Sequence, residues 1–315
     1  MNPIVLSALL PVAALILLGL LVGRARWLGP DAVRRLSMLA FMVLTPVLLF
    51  RAMSRVHVDQ LDLLPALVYT MALAVIFVGV VSQVGMTRRG AVLALAVSYG
   101  NSVMIGIPLV SLAWGEAGLV TLFTLIPINS LLLLTSATVV LEFVDVRAHA
   151  AASPVLTARL WWVGLRALRK ALLHPVPLPI IAGLLFAQTD WAIPHWLDTP
   201  MLWLGKAFSP LALFLVGVSL AGSFIGGNLR SALLMAAVKN VLAPLLVAVL
   251  GWTFGMSGLP LVVLVVTAAL PMGVNGFLFA QRYSVAQETV TAGIAVSTAM
   301  SALSVSLVML LVAKV

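Results

Sequence analysis

The chain is a succession of apolar runs, each long enough to cross a lipid bilayer as a helix, which takes roughly 20 residues. Hydrophobic residues make up 63% of the chain and charged residues 9%, more apolar surface than a water-soluble domain can bury. The sequence therefore predicts an all-α integral membrane protein with ten transmembrane helices. These spans, numbered one to ten, are expected at about 3–23, 35–53, 61–85, 91–113, 117–142, 173–189, 200–222, 231–254, 258–281 and 287–312.

The basic residues predict how the spans are oriented. Loops after the odd-numbered spans carry thirteen of them, and the opposite side carries three. Because basic loops stay in the cytoplasm, both termini are expected on the other side, the periplasm of a bacterial inner membrane. The thirteen are Arg24, Arg26, Arg34, Arg35, Arg88, Arg89, Arg147, Arg159, Arg166, Arg169, Lys170, Arg230 and Arg282, and the three are Arg51, Arg55 and Lys314.

The longest polar interruption, residues 143–172, divides the chain into two sets of five spans, 1–142 and 173–315. Leucines at helical spacing alternate with basic residues between Leu156 and Leu172. This pattern predicts a basic helix on the cytoplasmic membrane surface, and a calmodulin-like target helix would look similar. The loops explain the net charge of +9, so no nucleic acid partner is predicted.

Two similarities between the halves indicate an internal repeat. The segment Thr45–Phe50 in span two resembles Ser209–Phe214 in span seven. Spans four and nine are both interrupted by helix-breaking residues, which in equivalent spans of two halves indicate a transporter binding site. Since each half has an odd number of spans, the second copy must enter the membrane from the opposite side, so the repeat is predicted to be inverted.

The two interruptions supply most of the candidate substrate-binding residues. A helix broken in mid-membrane frees backbone groups that must line a cavity or bind something. The partial positive charge at a half-helix N-terminus suits a carboxylate. The alternative is that these residues only kink the helices and that each asparagine joins two helices. The candidates are Gly100, Asn101 and Ser102 in span four and Pro271, Gly273, Asn275 and Gly276 in span nine.

Two further polar residues inside spans are candidate site residues. Lys239 lies well within span eight, where a charge is costly and usually functional. It is expected either to attract an anion or to pair structurally with a carboxylate or backbone carbonyls. Asn129 in span five follows Pro127, which makes another polar break.

No signature of an enzyme is found. The four histidines are unclustered, and the chain has no cysteine. No His-Glu-x-x-His pattern occurs. No catalytic residue or cofactor is therefore predicted. Sodium or proton coupling stays open, and the ligands of any metal ion are unknown.

The stretches NSVMIGIPLVSLAWGE, from Asn101 to Glu116, and AALPMGVNGFLFAQRYSV, from Ala268 to Val285, resemble the two crossover segments of the auxin efflux carrier family. This resemblance implies a ten-helix inverted repeat like that of bile-acid symporters, with crossed broken helices four and nine. Spans one, two, six and seven would form a scaffold, and spans three to five and eight to ten a mobile transport domain. Plant members carry a proline where this chain has Gly276. In this respect the chain resembles the bacterial, malonate-transporter-like members.

The expected function is secondary transport of a small organic anion, a short carboxylate such as malonate, by elevator-like alternating access. An aromatic acid such as an auxin-like indole acid is the alternative substrate, and a channel or receptor-like membrane protein is the alternative class. The expected partners are the substrate and the lipid bilayer, and a homodimer stays open.

Overall fold

The computed structural model describes residues 3–56, 62–149, 177–189, 191–221 and 229–312. These residues are helical apart from short connections, and no strand occurs among them. Six of their helices are long and apolar enough to cross a membrane. The prediction of an all-α integral membrane protein is confirmed at this level. The six are Asp31–Met53, Leu64–Val84, Ser102–Val144, His195–Ala221, Leu229–Thr253 and Gln287–Leu311.

A described helical segment overlaps each of the ten predicted spans. The first half contains α1 (Pro3–Arg24), α2 (Pro30–Leu39), α3 (Thr45–Met53), α4 (Leu64–Val84), α5 (Arg88–Ser98) and α6 (Ile107–His149). The second half contains α7 (Pro177–Ala187), α8 (His195–Ala221), α9 (Leu229–Ala237), α10 (Ala243–Thr253), α11 (Gly258–Ala269), α12 (Val274–Arg282) and α13 (Gln287–Val312).

Wider π-helical turns directly precede three of the helical segments, α3, α6 and α10, at Ala40–Leu44, Ser102–Gly106 and Val238–Leu242. After each turn a proline stands at the second position, namely Pro46, Pro108 or Pro244. Proline has no N–H and its ring clashes with the carbonyl four residues before it, which here lies inside the π turn. The wider turn therefore accommodates each proline without ending the transmembrane segment.

A sharp kink divides α6 at Gly115, whose φ of 61° and ψ of −145° suit only glycine. The kink falls between predicted spans four and five, so one continuous run of helix contains parts of both. The helix then continues to His149, so its last residues lie in the range predicted as the cytoplasmic loop, 143–172. The basic surface helix predicted between Leu156 and Leu172 lies outside the described residues.

Helices α1 and α8 touch through their backbones. A Cβ placed on Gly19 would lie 2.0 Å from the Phe214 carbonyl oxygen, and a Cβ on Gly217 would lie 2.0 Å from the Ile16 carbonyl oxygen. Glycines at a helix–helix crossing allow this approach in membrane proteins. The two helices therefore form a close pair that excludes a side chain at either glycine.

A similar approach joins α7 to α3. A Cβ on Gly183 would lie 2.7 Å from the Phe50 carbonyl oxygen. Gly183 and Phe50 are related to Gly19 and Phe214 by the same shift of 164 positions, with the two helices exchanged. The shift equals the separation of the similar segments Thr45–Phe50 and Ser209–Phe214. The two contacts therefore follow the pattern of the suspected repeat.

An ion cluster lies where α3 ends and α8 begins. Asp198 accepts hydrogen bonds from Arg51 Nε at 2.7 Å and Arg51 Nη2 at 2.9 Å, and from Arg55 Nη2 at 3.0 Å. Several exposed tryptophans lie close to helix ends, as is typical of residues at membrane–water interfaces. They include Trp27, Trp191, Trp196 and Trp252.

Candidate substrate-binding site

The breaks between α5 and α6 and between α11 and α12 meet and hydrogen-bond to each other. The Asn101 N–H donates to the Pro271 carbonyl at 2.8 Å, and the Gly273 N–H donates to the Tyr99 carbonyl at 2.7 Å. Together the two bonds form one antiparallel bridge, with Gly100 opposite Met272. Backbone groups freed by each break thus find partners in the other break, as an apolar membrane interior requires.

The two predicted asparagines hold different positions in this crossing. Asn101 precedes the π turn and caps it, since its Oδ1 accepts the Met104 N–H at 3.3 Å. In the second break Gly273 holds the place that Asn101 holds in the first. Each of the two residues donates its N–H to the carbonyl that lies two residues before the other, Pro271 for Asn101 and Tyr99 for Gly273. Asn275 lies in the first turn of α12. The first half-helix is therefore capped by a side chain, and the second begins at a residue that has none.

A cavity of about 540 Å³ opens beside the crossing. Its wall includes backbone or side-chain atoms from the beginning of both half-helices, where the first amides have no acceptor within the helix. Five of the nine sequence-predicted site residues line this cavity. They are Gly100, Asn101, Ser102, Gly273 and Asn275.

The other four predicted residues lie outside the cavity lining. Pro271 supplies the carbonyl that accepts from Asn101. Gly276 lies against α5, where a Cβ would meet Ala96 Cα at 2.7 Å, so its position is one of packing. Asn129 is buried, and its Oδ1 has no hydrogen-bond partner among the described residues. Their roles in substrate binding stay predictions.

Lys239, the fourth of these, is fully buried behind the crossing. Its Nζ donates to the Ala268 carbonyl at 2.6 Å, in the last turn of α11. This contact corresponds to the structural pairing with carbonyls that the sequence left open, and the lysine does not line the cavity. A direct contact between Lys239 and an anion therefore stays a prediction without support from the position of the side chain.

A polar network continues from Lys239 to the second break. Asn240 Nδ2 donates to the Ala269 carbonyl at 3.1 Å, and Asn240 Oδ1 accepts from Ser297 Oγ at 2.6 Å. Ser297 Oγ in turn accepts the Met272 N–H at 3.0 Å. The network fixes the end of α11 and the bridge residue Met272 to two neighbouring helices.

Tyr99 and Ser130 line the cavity and were missed by the sequence interpretation. Their hydroxyl oxygens are 2.6 Å apart, and either can be the donor. Tyr99 directly precedes Gly100, and Ser130 directly follows Asn129, so both adjoin residues that had been singled out. Adjacency to a break was the available signal, but it does not tell which neighbour faces the cavity.

The remaining wall of the cavity is mainly apolar. No Lys, Arg, His, Asp or Glu is among its described lining residues. An anion in this cavity would therefore be recognised by amides, hydroxyls and half-helix N-termini rather than by a side-chain cation. The apolar lining includes Met38, Phe41, Leu134, Leu215, Leu220 and Leu278.

A metal site built from acidic, histidine or cysteine side chains is not found. In the part of the chain that the structure describes, no three such residues are grouped closely enough to hold an ion. A monovalent cation bound by carbonyls and hydroxyls would use other ligands, and the network around Asn240 consists of such oxygens.

The family model described as "Membrane transport protein" matches residues 4–309, nearly the whole chain. The chain belongs to this family of membrane transport proteins. Within it, the protein named "Putative malonate transporter" of Rhizobium meliloti (strain 1021) is 27% identical over 305 residues, which cover 94% of this chain and 92% of the relative. An "Uncharacterized transporter" of Methanothermobacter thermautotrophicus is 22% identical over 308 residues, 96% of each chain.

Plant members of the same family match a smaller part. "Auxin efflux carrier component 8" of Arabidopsis thaliana is 26% identical over 136 residues, 41% of this chain and 37% of the plant protein. The resemblance to auxin efflux carriers inferred from the two crossover segments is therefore confirmed. Membership in a family of transporters places this chain among integral membrane proteins that move a solute.

Proposed function

We propose that this transporter is a secondary carrier of a small organic anion that works by elevator-like alternating access. The cavity beside the crossing is the observation that carries the proposal, because two half-helices from the two halves of the chain begin at its wall. Positive half-helix ends directed at an anionic substrate are a recurrent arrangement in carriers with broken helices.

An inverted repeat of ten spans forms the proposed frame. Three observations support it: a helical segment in each predicted span, the two glycine contacts related by 164 positions, and the reciprocal bonds of the crossing. In the proposed frame, α1, α2, α3, α7 and α8 form the scaffold. The remaining helices form the transport domain that carries the crossing.

The proposed orientation places both termini on the periplasmic side of a bacterial inner membrane. With that orientation, the cavity opens toward the cytoplasm, since it is lined by the beginning of span two at Ser37 and the end of span seven at Ser219 and Leu220. On the opposite side, a buried apolar cluster that includes Val12, Leu109 and Val266 packs the scaffold against both broken helices. The conformation described is then the inward-facing one.

A short carboxylate such as malonate is the first candidate substrate, in line with the printed name of the Rhizobium meliloti relative. An aromatic or other largely apolar monocarboxylate is the second. The apolar lining favours it, and the volume lies within the range of about 300–1,000 Å³ that encloses drug-sized ligands. Two half-helix N-termini together supply roughly one positive charge, enough for one carboxylate.

The test is uptake into proteoliposomes from a panel of radiolabelled mono- and dicarboxylates, including malonate and indole-3-acetate. A carrier is expected to show saturable uptake of one class of acid and accelerated exchange when the same acid is present on the far side. Uptake that does not saturate and shows no counterflow would favour a channel. The absence of uptake of every acid, with folded protein in the vesicles, would refute the proposal.

Because the chain has no cysteine, a single cysteine at Ser219 reports the conformation directly. An impermeant maleimide is expected to label Ser219→Cys from the cytoplasmic side and not from the periplasmic side. The opposite result would refute the proposed inward-facing orientation.

A further inference from the structure

Two half-helices end at the crossing, and their last residues do not line the cavity. Helix α5 ends at Ser98 and helix α11 at Ala269, each just before a break. The last carbonyls of a helix have no donor within the helix, and each C-terminus carries roughly half a negative charge. Two such ends in an apolar interior therefore require about one positive charge nearby.

The Lys239 ammonium contacts the end of α11 and lies beside the break that follows α5. Its Nζ is 2.6 Å from the Ala268 carbonyl oxygen, in the last turn of α11. It is also beside Gly100, two residues beyond the end of α5, where an added Cβ would lie 3.2 Å from Nζ. The ammonium thus borders both breaks from behind.

No carboxylate neutralises this lysine within the described part of the chain. Neither of the salt bridges Arg51–Asp198 and Arg55–Asp198, where α3 ends and α8 begins, includes Lys239. A buried charge without any partner is costly in a membrane. The two negative helix ends, which sum to about one charge, are the counter-charge available to Lys239.

In carriers with broken helices, unwound carbonyls and half-helix C-termini are also where a coupling cation binds. Oxygens that could coordinate one lie at the end of α11 and in the network beside it. They are the carbonyls of Ala268 and Ala269, Asn240 Oδ1, Ser297 Oγ and Ser304 Oγ. Here a covalently attached cation already reaches into that set. A mobile cation would be repelled by Lys239 and would have to compete with it for Ala268.

We propose that the ammonium of Lys239 takes the place of a coupling sodium ion, so that this protein moves its substrate without a sodium gradient. This inference rests on the proposed carrier function for its biological meaning, but the occupancy of the cation position can be measured without any substrate. Removing the ammonium should leave an oxygen-lined position that sodium can enter.

Thermal unfolding of the purified full-length protein tests the occupancy. Wild type, Lys239→Ala and Lys239→Gln are compared in sodium chloride and in choline chloride at equal ionic strength. Lys206→Ala is the matched control, since it removes an exposed lysine from α8. The expected result is no sodium effect on wild type or Lys206→Ala. For Lys239→Ala, sodium at about ten times its Kd should raise the midpoint by roughly 2–4 °C.

Sodium stabilisation of the wild type would overturn the proposal, because the position would then be open to the ion. A folded Lys239→Ala that shows no sodium effect would overturn it as well. If Lys239→Ala does not fold, Lys239→Gln decides between the same two results, since its amide can still donate to Ala268. Should neither variant fold, the wild-type comparison alone decides.

The transport assay separates this inference from the proposed function. Saturable uptake of an acid that is unchanged when choline replaces sodium supports both. Saturable uptake that requires sodium supports the carrier function and overturns the proposal that Lys239 takes the place of a coupling sodium ion. Without uptake of any acid, the carrier proposal fails, while the unfolding measurement still decides whether Lys239 occupies the cation position.

Discussion

Gly217 provides a direct test of the close contact between α1 and α8, through the substitution Gly217→Ala. The added Cβ would lie 2.0 Å from the Ile16 carbonyl oxygen and 2.8 Å from the Leu20 nitrogen. Both are backbone atoms of α1, so no side chain can turn away to make room. Restoring an ordinary contact of at least 3.4 Å requires the two helix axes to separate.

The loss of unfolding free energy in Gly217→Ala is the difference between two opposing effects, overpacking and helix propensity. Overpacking a well-packed interface typically costs about 1–3 kcal/mol, and a clash with backbone belongs at the upper end. Replacing glycine with alanine inside a helix contributes about 0.8–1 kcal/mol in the other direction. The net loss is then about 1–2 kcal/mol. With about 2 °C per kcal/mol for a chain of this size, the midpoint should fall by roughly 2–4 °C.

Gly79→Ala is the matched control. Gly79 lies in α4, and a Cβ at this position would meet nothing within 4 Å. Only the helix-propensity term applies to it, so its midpoint should equal or exceed that of wild type. Gly19→Ala should behave like Gly217→Ala. The double variant should lose less than the sum, because helices already separated by one methyl group accommodate the second more easily.

Unfolding midpoints are measured on purified protein in detergent by tryptophan fluorescence, for which the chain supplies eight indoles. The order expected is Gly79→Ala at or above wild type, with Gly217→Ala and Gly19→Ala below it. If Gly217→Ala unfolded at or above the temperature of Gly79→Ala, α1 and α8 would not be in backbone contact, and the close pair described above would be wrong.

Further predictions concern the cavity and the ion cluster. Asn101→Ala and Asn275→Ala should each reduce the initial rate of uptake while leaving the unfolding midpoint within a few degrees of wild type, and unchanged uptake in both would remove the crossing as the site. Tyr99→Phe and Ser130→Ala should each raise KM by roughly 2- to 10-fold, the equivalent of one hydrogen bond, and additive effects in the double variant would show that the two hydroxyls act independently. Asp198→Asn should lower the unfolding midpoint by roughly 2–4 °C at low salt, because its two arginine partners lose about 1–2 kcal/mol of charge-assisted bonding. A high-salt buffer should shrink that difference, and an equal loss at all salt concentrations would contradict an electrostatic origin.

The sequence predicted the helices and the two breaks because both depend on position along the chain, and the resemblance to auxin efflux carriers implied that the broken helices cross. Long apolar runs locate a span, and Gly100, Asn101 and Pro271 locate the breaks to within a residue or two. The sequence could not predict which side of each helix faces the cavity. Helices in lipid are apolar on nearly every side, so periodicity does not mark an inward face as it does in water.

The side-chain positions that the sequence did not predict follow from this limitation. Lys239 was identified by its depth in span eight, but its direction away from the cavity depends on the rotation of that helix. Tyr99 and Ser130 sit next to identified residues, and only the folded arrangement shows that their hydroxyls meet. Phe41 and Leu215 carry no polar signal, because their contribution to the cavity is shape.

The reciprocal bonds of the crossing have a consequence for how such a carrier can diversify. Both bonds run from main chain to main chain, so they persist when side chains are exchanged, provided that positions 101 and 273 keep an N–H. In the proposed carrier, selectivity would instead depend on the neighbouring cavity wall, where a substitution alters shape or polarity without breaking these bonds. If the proposed mechanism holds, the same fold can acquire a new substrate through a few substitutions around the cavity, while the main-chain bonds of the crossing stay unchanged.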